Sequence, residues 1–285
     1  MFRLGYNTNG LPHHRVEDAL RLCADLGYEA VALTPDAGLL DPYELDADAV
    51  ARVRRTSEEL GLTLTVETGS RYLLDPARKH FPTLLEEAAV DRARRVDFLV
   101  RCVDLAADLG AEGLSFWSGK APSGRTADAT ASVEEEWERL VDGSAAVLER
   151  GRRQGVTISF EPEPGMFVER PAGYAELVRR LGSDGDGLGL CLDVGHCLVT
   201  GDLPVGRVVR EFANRLAMVH LDDIADGQHV HRMFGEGDLD LPEVLGALLE
   251  VGYDGVAAVE LSRDGHRGPE AAREALTHLR AALGA

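Results

Sequence analysis

Two periodicities alternate along this chain of 285 residues. Short apolar and β-branched runs, such as "EAVAL" from Glu29, "LTLTVE" from Leu62 and "LGLCLD" from Leu188, give way to stretches whose apolar positions return every three or four residues. The first kind reads as strand and the second as helix. Further strand-like runs begin at Arg3 (RLGYN), Glu112 (EGLSFW), Val156 (VTISFE), Leu216 (LAMVHL) and Gly255 (GVAAVEL), so eight strands are expected. Between the first two, Val16, Ala19, Leu20, Cys23 and Leu26 mark one helical face, and Gly27 supplies a left-handed stop. The same order of helix end, glycine and strand returns in "LGLTLT" at 60, "LGAEGL" at 109 and "VGYDGV" at 251.

Strands read as apolar on both faces, alternating with helices, imply a parallel sheet. Eight such units in a chain of this length predict an α/β (β/α)8 TIM barrel forming a single domain over 1–285, with a doubly wound open sheet as the alternative. No linker divides the chain. The stretches 68–87 and 118–132 are long for strand-to-helix connections, and both follow the carboxyl end of a strand, the face where barrels carry their chemistry.

Four of the expected strands finish on a potential metal ligand: Glu161 after "TISF", Asp193 after "LGLCL", His220 in "LAMVHL" and Glu260 in "AAVEL". Taken singly, each acid reads as a helix cap or a solvated loop residue. Taken together, on consecutive staves of one barrel, they would surround a point at its mouth, and unpaired acids buried there would be costly without a counter-ion. In "DVGH" a helix cap would need only Asp193, so His196 asks for a second explanation.

Composition narrows the partners. Forty-nine acidic against 30 basic residues give a net charge of −19, with no basic stripe, which argues against nucleic acid. The N-terminus lacks a long apolar segment and no run of 18 uncharged apolar residues occurs, so no membrane partner is expected and the cytoplasm is the expected location. The four cysteines form no CxxC pair and read as reduced thiols.

From residue 156 to 261 above all, the chain resembles the xylose isomerase-like barrel superfamily, specifically its sugar phosphate isomerase/epimerase group. That resemblance implies one divalent metal ion, Mn2+ first and otherwise Mg2+, Co2+ or Zn2+, held by Glu161, Asp193, His220 and Glu260. It implies that His196 touches a sugar oxygen, that His231 and Arg232 in "HVHRMFGEGD" meet the substrate, and that Glu161 and Glu260 exchange protons with it. Glu163 and His196 are the fallback bases. A related endonuclease branch carries extra metal-binding histidines after strands three and four, where this chain has "VETGSR" and "SFWSGK".

The implied activity is isomerisation or epimerisation of a small polyhydroxylated ketone or cyclitol by proton transfer beside the carbonyl. A dehydratase using the same metal is the alternative, and a non-catalytic metabolite-binding barrel a further one. A Schiff-base aldolase is a rival resting on the only two lysines, Lys79 and Lys120, both in expected loops where nothing desolvates them. For recognition, Trp117 offers a stacking face, Arg71, Lys79 and His80 offer charge for a phosphate or carboxylate, and Glu67 and Asn7 offer bonds to hydroxyls. Capping and packing are the competing roles for these residues. A homo-oligomer is compatible with the sequence, which does not fix the subunit number.

Overall fold

The computed structural model describes residues 1–129 and 133–284, so the last three residues of the 118–132 stretch lie outside it. In chain order the main elements are β1 (Arg3–Asn7), α1 (Val16–Leu26), β2 (Ala30–Leu33), α2 (Ala47–Leu60), β3 (Thr63–Glu67), α3 (Ala89–Leu109), β4 (Gly113–Phe116), α4 (Glu134–Gln154), β5 (Thr157–Phe160), α5 (Pro171–Leu181), β6 (Leu188–Asp193), α6 (Val194–Thr200), α7 (Val205–Glu211), β7 (Leu216–Leu221), α8 (Leu241–Glu250), β8 (Val256–Val259) and α9 (Gly268–Leu283). The eight strands pair in sequence order, all parallel, and β1 closes the ring against β8 with Gly5 opposite Ala258. This is the (β/α)8 barrel. Each strand starts within one residue of its expected place, and Gly27 (φ 98°) and Gly61 (φ 67°) end their helices in the left-handed conformation.

One expectation is corrected. The strands are not apolar on both faces; their side chains alternate in size and polarity. Leu4, Val31, Leu64, Leu114, Ile158 and Val219 join the helices in one large hydrophobic core. The intervening positions are small or polar, as at Gly5, Ala32, Thr65, Ser115 and Ser159, and Ala30, Ala32, Val256 and Ala258 form a separate small cluster. A closed ring of eight strands leaves little room inside it, and Ser159 Oγ already comes within 3.4 Å of Met218 Sδ two strands away.

The two-residue strand period then decides what reaches the rim. Asp193 and His220 are direct partners across β6 and β7, and His220 in turn faces Ala258. Glu260 lies two residues past Ala258, Glu161 two past Ser159, and both are tied to the sheet by their backbone N–H groups, to Leu221 O and Phe116 O at 2.9 Å. All four expected ligands therefore share the small, inward face.

The helical shell packs closely on the outward face. On α4 a Cβ added at Gly151 would overlap Ile158 Cγ1 and stand 3.0 Å from Val156 O. Gly151→Ala should therefore cost about 1–3 kcal/mol of overpacking, only partly offset by about 1 kcal/mol of better helix propensity. Thermal unfolding should shift down by roughly 2–4 °C per kcal/mol of net loss; an unchanged or raised Tm would mean that α4 stands off β5.

Candidate active site

The four strand-end residues converge. Donor atoms of Glu161, Asp193, His220 and Glu260 all lie within 4.8 Å of one another, and the side chains are buried or nearly so. His220 Nδ1 stands 3.0 Å from Glu161 Oε1 and 2.9 Å from Glu260 Oε2. Asp193 uses Oδ1 to accept the His196 N–H at 2.9 Å, which caps α6, while its buried Oδ2 has no hydrogen-bond partner. One aspartate thus caps the helix with one oxygen and keeps the other free among the strand-end residues.

The electrostatics fit a cation. Burial first, and the adjoining Asp222 second, raise the Asp193 carboxyl well above the usual range. Burial alone would favour neutral His220, but Cys191 and Glu161 outweigh it and hold the imidazole well above its ordinary value. Glu260 is likewise opposed by burial, yet its bond to His220 carries it below the usual carboxylate range. Three carboxylates around one imidazole, with an unpartnered oxygen among them, are a donor set suited to a divalent ion.

A cavity of about 810 Å³ opens at this end of the barrel, and Glu161, Glu260, Glu67 and Glu163 all line it. Glu67 accepts from Thr34 Oγ1 and from Gly69 N, and burial with the nearby Glu260 pushes its carboxyl up to about 7. Burial followed by the Glu161 charge raises Glu163 well above its ordinary value. Arg71, Lys79 and His80 reach the cavity from the 68–87 stretch, joined by Lys120 and Arg263. His80 is pushed down to about 4 by burial, and its Nδ1 lies 2.9 Å from Ser70 O. Against the expectation that nothing desolvates the lysines, partial burial lowers Lys79, with Arg71 adding to it. Trp117 is part of the wall. His80 meets its ring edge-on at 5.1 Å, and the fully buried Arg95 guanidinium lies 4.7 Å from its centre and 5.1 Å from that of Phe98.

Other expected residues are placed differently. Asn7 is fully buried, its Oδ1 accepting from Asn9 N and Thr34 Oγ1, and it does not line the cavity. Asn9 does, and its Nδ2 donates to Glu260 Oε1 at 2.8 Å. His196 lies behind the wall, with Nδ1 3.0 Å from Pro162 O and Nε2 3.1 Å from His229 Nε2. His231 and His229 line the cavity, whereas Arg232 pairs by its backbone with Asp223 and stays outside the lining. Asp223 shapes this loop, its carboxylate accepting from the N–H groups of Ile224, Gly235, Gly237 and Leu239 at 2.9 Å each. Sequence reasoning missed Asn9, His229, Asp222 and Asp223; the H-x-H spacing of His229 and His231 was the one available signal.

The sequence model of the family described as xylose isomerase-like TIM barrel matches residues 20–282. An inosose dehydratase of Lacticaseibacillus casei is 28% identical over 149 residues, which cover 46% of this chain and 49% of that protein. The chain thus matches about half the length of that relative. An L-ribulose 3-epimerase of Mesorhizobium japonicum is 27% identical, over 75% of this chain and 66% of the relative. Among solved structures, D-allulose 3-epimerase from Methylomonas sp. in complex with D-allulose superposes with a TM-score of 0.77 at 17% identity, covering 98% of this chain and 96% of that one. At that identity the likeness speaks for the fold alone.

The two jobs of Asp193 can be separated. Asparagine caps a helix as well as aspartate does, so Asp193→Asn should keep metal-free stability within about 1 kcal/mol, whereas Asp193→Ala should lose about 0.5–2 kcal/mol. Both variants should lose the Mn2+-dependent rise in Tm, which for the wild type should reach about 2.7 kcal/mol of stabilisation at 100 times the dissociation constant. A full Mn2+-dependent rise in Asp193→Asn would remove the aspartate from the ligand set.

Proposed function

The chain belongs to the xylose isomerase-like TIM barrel family, and on that premise we propose that it is a divalent-metal-dependent isomerase or epimerase of a small keto-sugar or keto-cyclitol, moving a proton on the carbon beside the carbonyl. The observation that carries this reading is the meeting of four donor atoms within 4.8 Å at the mouth of a cavity that two of their carboxylates also line. Glu161, Asp193, His220 and Glu260 would hold the ion, and an oxygen-rich set favours Mn2+ or Mg2+. When bound, the ion supplies Lewis acidity toward the substrate carbonyl, stabilising the charge that develops as the adjacent proton leaves.

The chain's own residues supply the proton transfer. Glu161 and Glu260 approach His220 from two different strand ends and both face the cavity, so one can remove a proton while the other returns it from its own side. Asn9 holds Oε1 of Glu260 and leaves Oε2 toward His220, which fixes the direction of that carboxylate. Glu163, uncharged more readily than an ordinary glutamate, is placed on the same wall to donate to a substrate oxygen. Trp117 and His80, packed edge to face, give the cavity wall an apolar contact for a ring or carbon chain.

The similarity to an inosose dehydratase supports a second reading, in which the same first deprotonation is followed by loss of a β-hydroxyl. The two share a first step and differ in the product. Incubating keto-sugars and inososes with the Mn2+-loaded protein in deuterated water should give deuterium at the carbon next to the carbonyl, with an epimer or aldose as product; an unsaturated or dehydrated product would favour the dehydratase. Glu161→Gln and Glu260→Gln should each lower turnover by about 10²–10⁴-fold. Sugar binding without exchange in any panel member would turn the assignment to a metabolite-binding barrel.

A further inference from the structure

Two loops carry positive charge into the cavity, and neither takes part in holding the strand-end donors. Arg71 and Lys79 come from the connection between β3 and α3, Arg263 from the connection between β8 and α9, and all three line the same cavity as Glu161 and Glu260. We propose that these three side chains form a subsite for a terminal phosphate monoester, so that the substrate is a phosphorylated ketose or cyclitol. This names the substrate class for the reaction proposed above and takes its catalytic meaning from that reading, while the binding itself is open to a separate test.

The backbone gathers the cations. The 68–87 stretch doubles back so that His80 N donates to Arg71 O at 2.6 Å, with His80 in the left-handed conformation (φ 66°) that residues other than glycine rarely take. Lys79 is thereby set beside Arg71. The Arg71 guanidinium reaches the second loop, its Nη2 standing 3.5 Å from Ser262 O, next in sequence to Arg263. Burial first, then Arg71, and more weakly Arg263 lower the Lys79 ammonium, against the opposing charge of Glu163, so the three groups feel one another's field. His80, pushed down to about 4 by burial, adds no charge near neutral pH.

These charges lack carboxylate partners. Neighbours on the same two loops are paired, Arg78 with Asp75 and Arg267 with Asp264, each at 2.7 Å. Among the described residues Arg71, Lys79 and Arg263 have no such pair. Asp36, also in the lining, is taken up by backbone, its oxygens accepting from Ala37 N at 2.8 Å and Arg71 N at 3.3 Å. Glu163 is driven toward its neutral form by burial and by Glu161. In a chain of net charge −19, three unpaired cations facing one cavity reverse the local sign, and an anion among them relieves their mutual repulsion.

The cavity therefore has two chemistries: carboxylates at strand ends and cations on the loops beyond them. A molecule with a carbonyl at one end and an anion at the other is oriented by that difference. At about 810 Å³ the space lies toward the upper end of the roughly 300–1,000 Å³ usual for small-molecule sites, and so has room for both ends. A phosphate monoester carries about −1.5 to −2 near neutral pH and three strong acceptor oxygens. Two guanidinium forks and an ammonium match it better than they match the single charge of a carboxylate.

Calorimetry on chelator-treated, dialysed protein, in which no metal can ligate the ester, decides the matter. D-ribulose 5-phosphate should bind at least about tenfold more tightly than D-ribulose, the worth of one charge-assisted hydrogen bond, and the carboxylate probe D-fructuronate should fall between them. Raising NaCl from about 50 to about 300 mM should weaken the ester and spare the free sugar. Arg263→Ala and Lys79→Gln, both solvent-accessible at the rim, should each lower ester affinity by about tenfold with an unchanged Tm, a loss larger than any for D-ribulose. Equal affinity for ester and sugar, no measurable binding of the ester, or full ester affinity in the double variant would overturn the subsite, and tighter binding of D-fructuronate would overturn its assignment to phosphate. Ester binding without deuterium exchange on any substrate would sink the reaction proposed above and leave the subsite standing; exchange on free sugars with no gain from phosphorylation would do the reverse.

Discussion

Glu161, Asp193 and Glu260 bring three carboxylates to one imidazole, and a protein tolerates such crowding of like charge only where something positive holds it together. The rest of the molecule follows from satisfying that constraint. A closed ring of strands puts alternate residues on its inner side, most of those positions hold small or polar side chains, and the last inward position of four consecutive strands is where larger polar groups find space. The site is the rim of a packing pattern that runs the whole depth of the barrel.

Stability and chemistry meet at Asp193, which starts α6 with one oxygen and faces the ligand cluster with the other. The following turn carries His196, so the same cap fixes where that imidazole can go. Asp223 acts in a comparable way on the opposite loop: four backbone amides gathered on one carboxylate give the segment carrying His229 and His231 a defined shape without a helix or a strand. Two aspartates of ordinary structural type thereby set the positions of three histidines.

The fold was readable because it depends on period and punctuation. Strands announced by short apolar runs, and helices closed by glycine, are local signals, and the strand-end donors Glu161, Asp193, His220 and Glu260 inherit their positions from them. The inward and outward faces were not separated in the sequence, since Ala and Val on the inner side pass for apolar strand residues. Loop residues escaped for a different reason. Asn7 and Asn9 are two positions apart with the same side chain, and only the turn after β1 decides that Asn9 reaches Glu260 while Asn7 faces Thr34. His229 and Arg232 flank the same loop, and which of them meets the cavity depends on the backbone pairing of Arg232 with Asp223, 9 residues earlier in the chain.

Arg95 gives the wall of the cavity a character that its composition hides. A guanidinium shut away from water lies over the Trp117 indole and draws the ring's π electrons toward itself. The indole that lines the cavity is correspondingly electron-poor. Such a surface discriminates by polarisation before any hydrogen bond forms: it is inhospitable to ammonium and guanidinium solutes and welcoming to electron-rich ones.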